Sequence, residues 1–579
     1  MATLSDAIRV ASGKGKADLL IRNGRLVNVF SGQIERTDVA VWNGIIIGLG
    51  DYEARKVIDI EGSFLCPGLI DGHVHIESSM VTIPEFARAV VPHGTTTVVA
   101  DPHEIANVLG SRGIRFMAES AGGVPLNVFF MIPSCVPATH LETSGAVLSA
   151  EEIKPLLKEP WALGLAEMMN FPGVIFGDPE VLRKLDAARG KRIDGHAPLL
   201  SGKDLNAYLA AGIRSDHETT TLKEAKEKLS KGMWIMAREG STARNLRALL
   251  PLATPENSRR FLLVTDDRHP RELIGEGHID SMVQKAIQWG TDPILAIQMA
   301  TLNPADYFRL DGLGAIAPGY RADIVVFDHL SRFQIKKVFK DGRLVAEDGK
   351  MLLPRFSGAA SLSGRLQGKK STGTVRIRPV SEEALVIRGQ GSRAKVIQLI
   401  PDQIITKKVV RTIPVNNGIA HPNVKEDILK IVVIERHRAT GRMGIGFVQG
   451  FGLKSGAIGS TVAHDSHNLI AVGTNDPDIL KVIHEIESMG GGIAVASGGK
   501  ALASLPLPIA GLMAQTSVER VDSRLEKLHR AVKGLGCRVR DPFMTLSFLA
   551  LPVIPELKLT DKGLVDVNRF KIVPLFGED

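Results

Sequence analysis

The middle of the sequence alternates short apolar runs with longer amphipathic stretches, and this alternation restricts the fold more than any other feature. Six apolar runs occur there, at residues 95–100, 125–133, 162–168, 192–197, 234–240 and 260–267. Amphipathic stretches such as residues 222–231 separate them, and a repeated strand-then-helix pattern favours a parallel sheet covered by helices. At least six such units in about 245 residues predict a (β/α)8 barrel.

Short strand-like runs flank this region on both sides. Residues 18–66 contain Val- and Ile-rich runs interrupted by Asn-Gly and Gly, which is typical of hairpins, and a similar block begins at residue 314. We therefore predict one small β domain that is split around the barrel. Near the C-terminus, strand patterns alternate with helical patterns, one starting at residues 475–477 and another over residues 517–534, which predicts an α+β domain.

These patterns divide the chain into four predicted parts. The boundaries are residues 1–66 and 313–355 for the split β domain, 67–312 for the barrel, 356–372 for a Gly- and Ser-rich linker, and 373–579 for the C-terminal domain.

Composition narrows the cellular setting. The three cysteines, Cys66, Cys135 and Cys537, are too few and too scattered for a disulfide framework in 579 residues, which fits a reducing compartment. The first 16 residues lack the continuous apolar stretch of a signal peptide, and no segment approaches about 18 uninterrupted apolar residues. We therefore expect a cytoplasmic protein without a membrane partner.

The net charge of +8 raises the question of an acidic partner such as nucleic acid. Residues 1–360 carry a net charge of about −2 and residues 361–579 one of about +10, so the excess lies in the last third. It is spread out there, without a block of like charges or a basic face interleaved with aromatic residues. We interpret it as a solvated surface and expect no nucleic-acid partner.

The strongest local signal for chemistry is the pair His73 and His75, which ends an apolar run at the start of the predicted barrel. In a strand these two imidazoles point to the same side and form a clip for a divalent metal ion. Four further groups end or follow later runs: Glu167, His196, His217 and Asp266. Because the carboxyl ends of barrel strands surround one axis, we expect these six side chains to converge and to hold two divalent ions.

The motifs that carry these groups resemble the amidohydrolase superfamily, and most closely its adenine deaminase family. They are PGLIDGHVHIESSM, GTTTVVADPHEIANV, AEMMNFPGV, DGHAPLLSG, SDHETT and LVTDDRHP, together with GFGLKSGAIGSTVAHDSHN in the last third of the chain. The resemblance spans nearly the whole chain. It implies an α/β fold with a (β/α)8 TIM barrel, a split β-sandwich domain formed by the flanking segments, and an additional C-terminal α+β domain.

The resemblance also implies a role for each predicted metal ligand. His73 and His75 would bind the more buried metal ion, Glu167 would bridge both ions, His196 and His217 would bind the second ion, and Asp266 would contact the first ion and its hydroxide. Mn(II) and Fe(II) are the implied ions, with Zn(II) as an alternative, because mixed imidazole and carboxylate ligation admits all three.

The implied activity is the hydrolysis of adenine to hypoxanthine and ammonia, in purine salvage or adenine catabolism. Metal coordination lowers the pKa of water towards ~7, so that hydroxide can add to C6 of the purine. Asp266 can carry a proton from this hydroxide to the departing amine, and either Glu167 or Asp266 protonates the ring. Adenine and water are the expected substrates, and we expect a homo-oligomer, a dimer or larger.

Eight further polar residues of these motifs are expected to contact the substrate or to support the metal ligands: Asp101, His103, Glu104, Asp267, His269, His464, Ser466 and His467. Residues 101–104 either orient ligands, contact the purine, hold an extra metal ion, or form only the acidic first turn of a helix. Residues 463–468 are expected to reach over the barrel mouth and help to enclose adenine. The Gly-rich segment 441–460 fits no phosphate-binding motif and predicts flexible turns between strands.

Two other readings of the sequence stay open. A deacetylase or cyclic amide hydrolase of the same superfamily would share the barrel, although Glu167 stands where hydantoinase-type relatives use a carboxylated lysine. The second alternative is a scaffold protein that keeps the barrel but has lost catalytic activity. The presence of all six predicted metal ligands speaks against it.

Overall fold

The structure is a computed structural model, and it describes residues 3–353, 371–389, 391–401 and 403–577. Except for its last two residues, the predicted linker at 356–372 lies outside these ranges.

The N-terminal segment consists of one helix and five strands: α1 (Leu4–Ala11), β1 (Ala17–Asn28), β2 (Gln33–Trp42), β3 (Ile45–Leu49), β4 (Ala54–Asp59) and β5 (Phe64–Pro67). A capping box starts α1, in which the Thr3 hydroxyl accepts from the backbone N–H of Asp6 and the Asp6 carboxylate accepts from that of Thr3.

Eight parallel strands follow: β6 (Leu69–Val74), β7 (Thr95–Ala100), β8 (Asn127–Ile132), β9 (Ala162–Met168), β10 (Arg192–Gly195), β11 (Ser215–Asp216), β12 (Trp234–Arg238) and β13 (Phe261–Val264). Strands β6 to β10 form one parallel sheet and β11 to β13 another. The backbone N–H of Arg214, just before β11, donates to the carbonyl of Ile193 in β10. The backbone N–H of Asp266, just after β13, donates to the carbonyl of His73 in β6. The parallel sheet therefore curls until its first and last strands meet.

Helices separate these strands and continue after the last one: α2 (Ile83–Val90), α3 (His103–Leu109), α4 (Ser111–Ser120), α5 (Ala150–Leu156), α6 (Phe171–Phe176), α7 (Pro179–Ala187), α8 (Gly202–Ala210), α9 (Leu222–Ser230), α10 (Leu246–Leu249), α11 (Pro270–Gly275), α12 (Ile279–Gln288), α13 (Pro293–Met299) and α14 (Leu302–Phe308). They cover the outside of the curled sheet, whose strand residues are almost all buried.

Four strands then return to the N-terminal segment: β14 (Ile324–Phe327), β15 (Ile335–Lys340), β16 (Arg343–Glu347) and β17 (Lys350–Met351). Strand β14 pairs with β5, so both flanking segments contribute to one nine-stranded sheet in the order β17-β16-β15-β14-β5-β1-β2-β3, with β4 beside β1.

The C-terminal part contains fourteen short or long strands among the described residues: β18 (Ile387–Arg388), β19 (Arg393–Leu399), β20 (Thr406–Thr412), β21 (Val415–Asn416), β22 (Ile419–Ala420), β23 (Ile428–Ile434), β24 (Met443–Gln449), β25 (Ala457–Ser460), β26 (Leu469–Gly473), β27 (Gly492–Ser497), β28 (Lys500–Pro506), β29 (Leu557–Thr560), β30 (Gly563–Asp566) and β31 (Lys571–Ile572). Eight of them form a sheet in the order β20-β19-β24-β23-β26-β25-β27-β28. Its helices are α15 (Asp476–Ser488), α16 (Val518–Gly534) and α17 (Pro542–Ser547).

The Gly-rich segment 441–460 consists of β24, a connection at residues 450–456 and β25, in line with the predicted turns between strands. Most of its residues lie in β24 and β25. A side chain at Gly444 would collide with the backbone oxygen of Thr560, and one at Gly459 would collide with Val482. The glycines are there because neighbouring chain segments pack closely against the two strands.

The curled parallel sheet with its helices and the C-terminal part share one apolar core. Buried Ile83 and Phe86 of α2 belong to the same cluster as Val518, Val521 and Leu525 of α16. Within the described ranges, the helices are all too short or too polar to cross a membrane.

Candidate metal centre

The carboxyl ends of the curled sheet bring together the six predicted metal ligands. His73 and His75 follow one another at the end of β6, with their ring centroids 4.8 Å apart. Nε2 of His75 lies 3.1 Å from Oδ1 of Asp266, and Nε2 of His73 lies 3.6 Å from the same oxygen. These three groups form the first half of the cluster.

Glu167 joins this half to the second. Its Oε2 lies 2.7 Å from Nδ1 of His196 and 3.3 Å from Nε2 of His217, whereas its Oε1 lies 3.5 Å from Nε2 of His75. One oxygen therefore faces each half of the cluster. This is the arrangement that a bridging carboxylate requires.

Arg238 and Glu218 link the two halves, and neither was identified from the sequence. Nη1 of Arg238 donates to Oδ2 of Asp266 over 2.6 Å, and its Nη2 donates to Oε2 of Glu218 over 3.0 Å. Glu218 also lies 3.5 Å from His217. Arg238 lies inside the predicted run at 234–240, but an arginine there also fits a solvated surface, so no distinctive signal marks it in the sequence.

The surrounding charges shift the pKa values of the two carboxyl groups. Burial alone would raise the pKa of Asp266, but the Arg238 guanidinium holds it well below its usual range. Burial would likewise raise the pKa of Glu167, and the imidazoles of His217 and His103 hold it well below that range. Both groups are therefore ionised and can bind cations.

Buried polar contacts hold the histidines in place. The Asp71 carboxylate accepts from Thr265 and from the backbone N–H of His73, which ties β6 to the end of β13. The Tyr208 hydroxyl accepts from the backbone N–H of His196 and donates to the Met168 carbonyl. These contacts fix the strand ends at which the ligands stand.

The donor set fits divalent metal ions. Nε2 of His73 and Oδ1 of Asp101 are buried and make no hydrogen bond within the described ranges. The ligand atoms of His73, His75 and Asp266 lie within 4.8 Å of one another, and so do those of His73, Glu167 and His217. Imidazole and carboxylate ligands of this kind suit Mn(II), Fe(II) and Zn(II).

Three of the eight secondary candidates border this cluster. Nδ1 of His103 lies 3.2 Å from Oδ2 of Asp101 and 3.3 Å from Oε1 of Glu167. Asp267 accepts from the Ser78 hydroxyl over 2.5 Å. Asp101 and His103 therefore touch the metal ligands, and a role in supporting those ligands fits their positions.

The C-terminal part reaches the same region through the loop between β25 and β26. Glu104 at the start of α3 faces Nδ1 of His464 at 2.7 Å, and His467 contacts its other oxygen. The Ser466 hydroxyl of the same loop donates to Oε2 of Glu142 over 2.5 Å.

His269 stands apart from the other candidates. Its Nδ1 lies 3.4 Å from Oδ2 of Asp541, the residue that caps α17. The structure therefore places it at the contact between α11 and the C-terminal part.

Comparison with known proteins agrees with this arrangement. Residues 64–345 match the amidohydrolase family, and residues 403–571 match the adenine deaminase C-terminal domain. The part of the chain that forms the curled parallel sheet, with histidines and carboxylates at its strand ends, thus belongs to the amidohydrolase superfamily.

Relatives that match over the full length identify the family within this superfamily. The chain is 52% identical over 572 residues to an adenine deaminase of Dehalococcoides mccartyi (strain 195), with 99% of each chain covered. It is 52% identical over 576 residues to adenine deaminase 2 of Carboxydothermus hydrogenoformans, with 99% of this chain and all of the relative covered. It is also 49% identical over 577 residues to an adenine deaminase of Geobacillus kaustophilus, with 99% of each covered. The chain belongs to the adenine deaminase family.

Proposed function

We propose that this chain hydrolyses adenine to hypoxanthine and ammonia. The observation that carries the proposal is 52% identity to an adenine deaminase over 99% of both chains. The cluster of four imidazoles and two carboxylates at one end of the sheet supports it, because hydrolytic deamination needs an activated water. A step in purine salvage or adenine catabolism is the matching cellular role, and the cytoplasm the matching location.

The architecture proposed for this function is a (β/α)8 barrel over residues 67–312. Eight parallel strands in chain order support it, as does the hydrogen bond from Asp266, just after β13, to His73 in β6. Residues 1–66 and 313–355 would form the split β-sandwich domain, and residues 373–579 the C-terminal α+β domain. A homo-oligomer, a dimer or larger, remains a prediction.

Six residues would hold two divalent ions, Mn(II) or Fe(II), with Zn(II) as the alternative. His73, His75 and Asp266 would hold one ion, and His196 and His217 the other, with Glu167 between them. The two halves of the cluster, each facing one oxygen of Glu167, support this division. Bound there, the ions would supply a water of lowered pKa and stabilise negative charge on the reacting centre.

The residues of the chain then move the protons. Arg238 occupies Oδ2 of Asp266, so Oδ1 is the oxygen left to face the reacting atoms. Asp266 accepts a proton from the attacking water and passes it to the amine that leaves C6. The second proton of the attacking water goes to the purine ring, carried there by Glu167 or Asp266. Asp101, His103 and Asp267 border the cluster and would orient the ligands or the purine, as would the loop with His464, Ser466 and His467.

A comparison of substrates tests the proposed function. The Mn(II)-loaded chain is assayed with adenine, with a cyclic amide and with an N-acetylated amine, by absorbance and by release of ammonia or acetate. We expect turnover of adenine alone. Turnover of the cyclic amide or release of acetate, with adenine unchanged, would favour the other superfamily activities instead.

A further inference from the structure

One ring nitrogen of His464 is buried without a partner beside the candidate metal centre. Its Nδ1 lies 2.7 Å from Oε1 of Glu104, and its ring stacks on Phe548 with 4.7 Å between the centroids. Nε2, on the opposite edge of the ring, is buried and makes no hydrogen bond with the part of the chain that the structure describes. A buried polar atom left unpaired costs free energy, which indicates a ligand that pairs with it.

The hydrogen bonds around Glu104 determine the protonation of the two histidines. The backbone N–H of Ala463 donates to Nδ1 of His467, so that nitrogen carries no proton. Neutral His467 therefore holds its proton on Nε2, which faces the second oxygen of Glu104. Burial lowers the pKa of His467 to about 4 despite this carboxylate, in agreement with the neutral form.

The buried Glu104 carboxylate then needs a cation, and both His464 and His103 are in contact with its Oε1, His464 at the shorter distance. Burial would lower the pKa of His464, but Glu104 and Asp267 raise it to about 9. An imidazolium ring that donates from Nδ1 to Glu104 presents a second N–H at Nε2. The unpartnered atom is therefore a donor, and its ligand must supply an acceptor.

His103 shows where this donor lies relative to the chemistry. Its Nδ1 is 3.3 Å from Oε1 of Glu167 and its Nε2 is 3.3 Å from Oε1 of Glu104. His103 therefore lies between the predicted metal ligand Glu167 and the pair of Glu104 and His464, and His464 belongs to the C-terminal part. Any purine whose C6 lies at the metal ligands extends its opposite ring edge away from them.

We infer that Nε2–H of His464 donates a hydrogen bond to N3 of the purine, the nitrogen opposite C6 in the six-membered ring. The inference rests on the proposed function, because it takes the purine as the ligand. Glu104 and His467 are positioning residues: Glu104 fixes the His464 ring and its charge, and His467 fixes Glu104.

Direct binding of two analogues tests the N3 contact by calorimetry on the metal-loaded full chain. 3-Deazaadenine lacks the acceptor at position 3, whereas 7-deazaadenine keeps it. A hydrogen bond from a charged donor accounts for about 10- to 100-fold in affinity, so we expect 3-deazaadenine to bind more weakly by this factor. His464→Met should remove the difference by weakening 7-deazaadenine alone, and His464→Gln, which keeps an N–H donor, should restore part of it.

The exposed His484 lies on α15, and His484→Gln serves as the matched control, which should keep the wild-type ratio. Equal affinity of the two analogues for the wild-type chain would overturn the inference, even if the Met variant does not fold. A ratio that persists unchanged in folded His464→Met would also overturn it. If the ratio behaves as expected but adenine is not deaminated, the proposed function fails and the N3 contact stands.

Discussion

At the scale of single residues, the contact between Arg238 and Asp266 decides how the carboxylate can act. The guanidinium donates to Oδ2 of Asp266 and to both oxygens of Glu218, and all three side chains are shielded from solvent. A carboxylate whose second oxygen is held in this way keeps one orientation. Asp266 can therefore serve the same reacting atoms in every turnover.

Asp266→Asn should lower kcat for adenine by about 10²- to 10⁴-fold, because the amide cannot accept the proton from the attacking water. Because Asp266 is also a predicted metal ligand, the metal content is measured by plasma mass spectrometry and kcat is compared per metal-loaded chain. Asp186→Asn, at an exposed carboxylate on α7, is the control and should leave both quantities unchanged. A fully metal-loaded Asp266→Asn chain with kcat within tenfold of wild type would disprove the proton-transfer role.

Arg238→Met should lower the free energy of unfolding by about 3–5 kcal/mol, because it leaves two buried carboxylates without their cation. Arg238→Lys keeps the charge and should recover part of the loss. Urea unfolding followed by circular dichroism measures both variants. For comparison, Arg183→Met removes an exposed pair with Glu180 and should cost less than about 1 kcal/mol. Equal midpoints for Arg238→Met and the wild-type chain would contradict this account.

The structure bears on the sequence-based site predictions residue by residue. The six predicted ligands converge because each ends or follows a strand of one parallel sheet, which hydrophobic periodicity reveals. Arg238 gave no comparable signal, since its partners lie 20 and 28 residues away along the chain. The contact between Glu104 and His464 joins residues hundreds of positions apart, so only the packed fold can reveal it.

At the scale of secondary-structure elements, the strand predictions succeeded where a strand is long and apolar. The bounds of β7 and β9 coincide with the predicted runs at 95–100 and 162–168. Strand β11 contains only Ser215 and Asp216, and no periodicity can develop over two polar residues. The glycines within β24 and β25 mark no turn, because close packing rather than backbone freedom explains them.

The ends of α11 and α17 are joined by the pair of His269 and Asp541, and this contact depends on pH. Burial would raise the pKa of Asp541, but His269 holds it at about 2, below its unfolded value of about 3.9. Burial would lower the pKa of His269, and Asp541 raises it above the unfolded value of about 6.5. The stabilisation is therefore fully present between about pH 4 and 6.5, and it is lost as the pH falls towards 2 or rises through the raised pKa of His269.

Asp541→Asn keeps an oxygen for the cap of α17 but removes the charge. We expect it to destabilise the chain by about 2 kcal/mol near pH 5.5, and by less towards pH 9, because the contact weakens as the pH rises through the raised pKa of His269. Thermal unfolding of both chains at the two pH values measures the difference. A loss of stability that is the same at pH 5.5 and pH 9 would show that the pair is not the cause.

At the scale of the whole molecule, the region of the curled parallel sheet and the C-terminal part are held together by one core and by polar contacts between them. The Thr560 hydroxyl donates to the Leu141 carbonyl, and the Asn468 amide donates to that of Thr143. Apolar residues of α2 and α16 share a single cluster. The front part of the chain therefore exposes apolar surface when it is separated from the rest.

A fragment of residues 1–353 should accordingly aggregate or lose its near-UV circular dichroism, and its kcat/KM for adenine should fall at least 100-fold. Co-expression with residues 371–579 should restore part of both, since the missing surface is supplied in trans. A soluble, folded fragment with the kcat/KM of the full chain would show that the loop around His464 has no part in catalysis.

Hydrolysis of adenine in isotopically labelled water tests the central claim most directly. The Mn(II)-loaded chain is incubated with adenine in H₂¹⁸O, and the product is analysed by mass spectrometry together with the ammonia released. We expect one ¹⁸O atom at C6 of hypoxanthine and one ammonia for each adenine consumed, with loss of turnover after chelation and its return with Mn(II). Adenine that stays unchanged under every metal loading, or a product without ¹⁸O, would contradict the account.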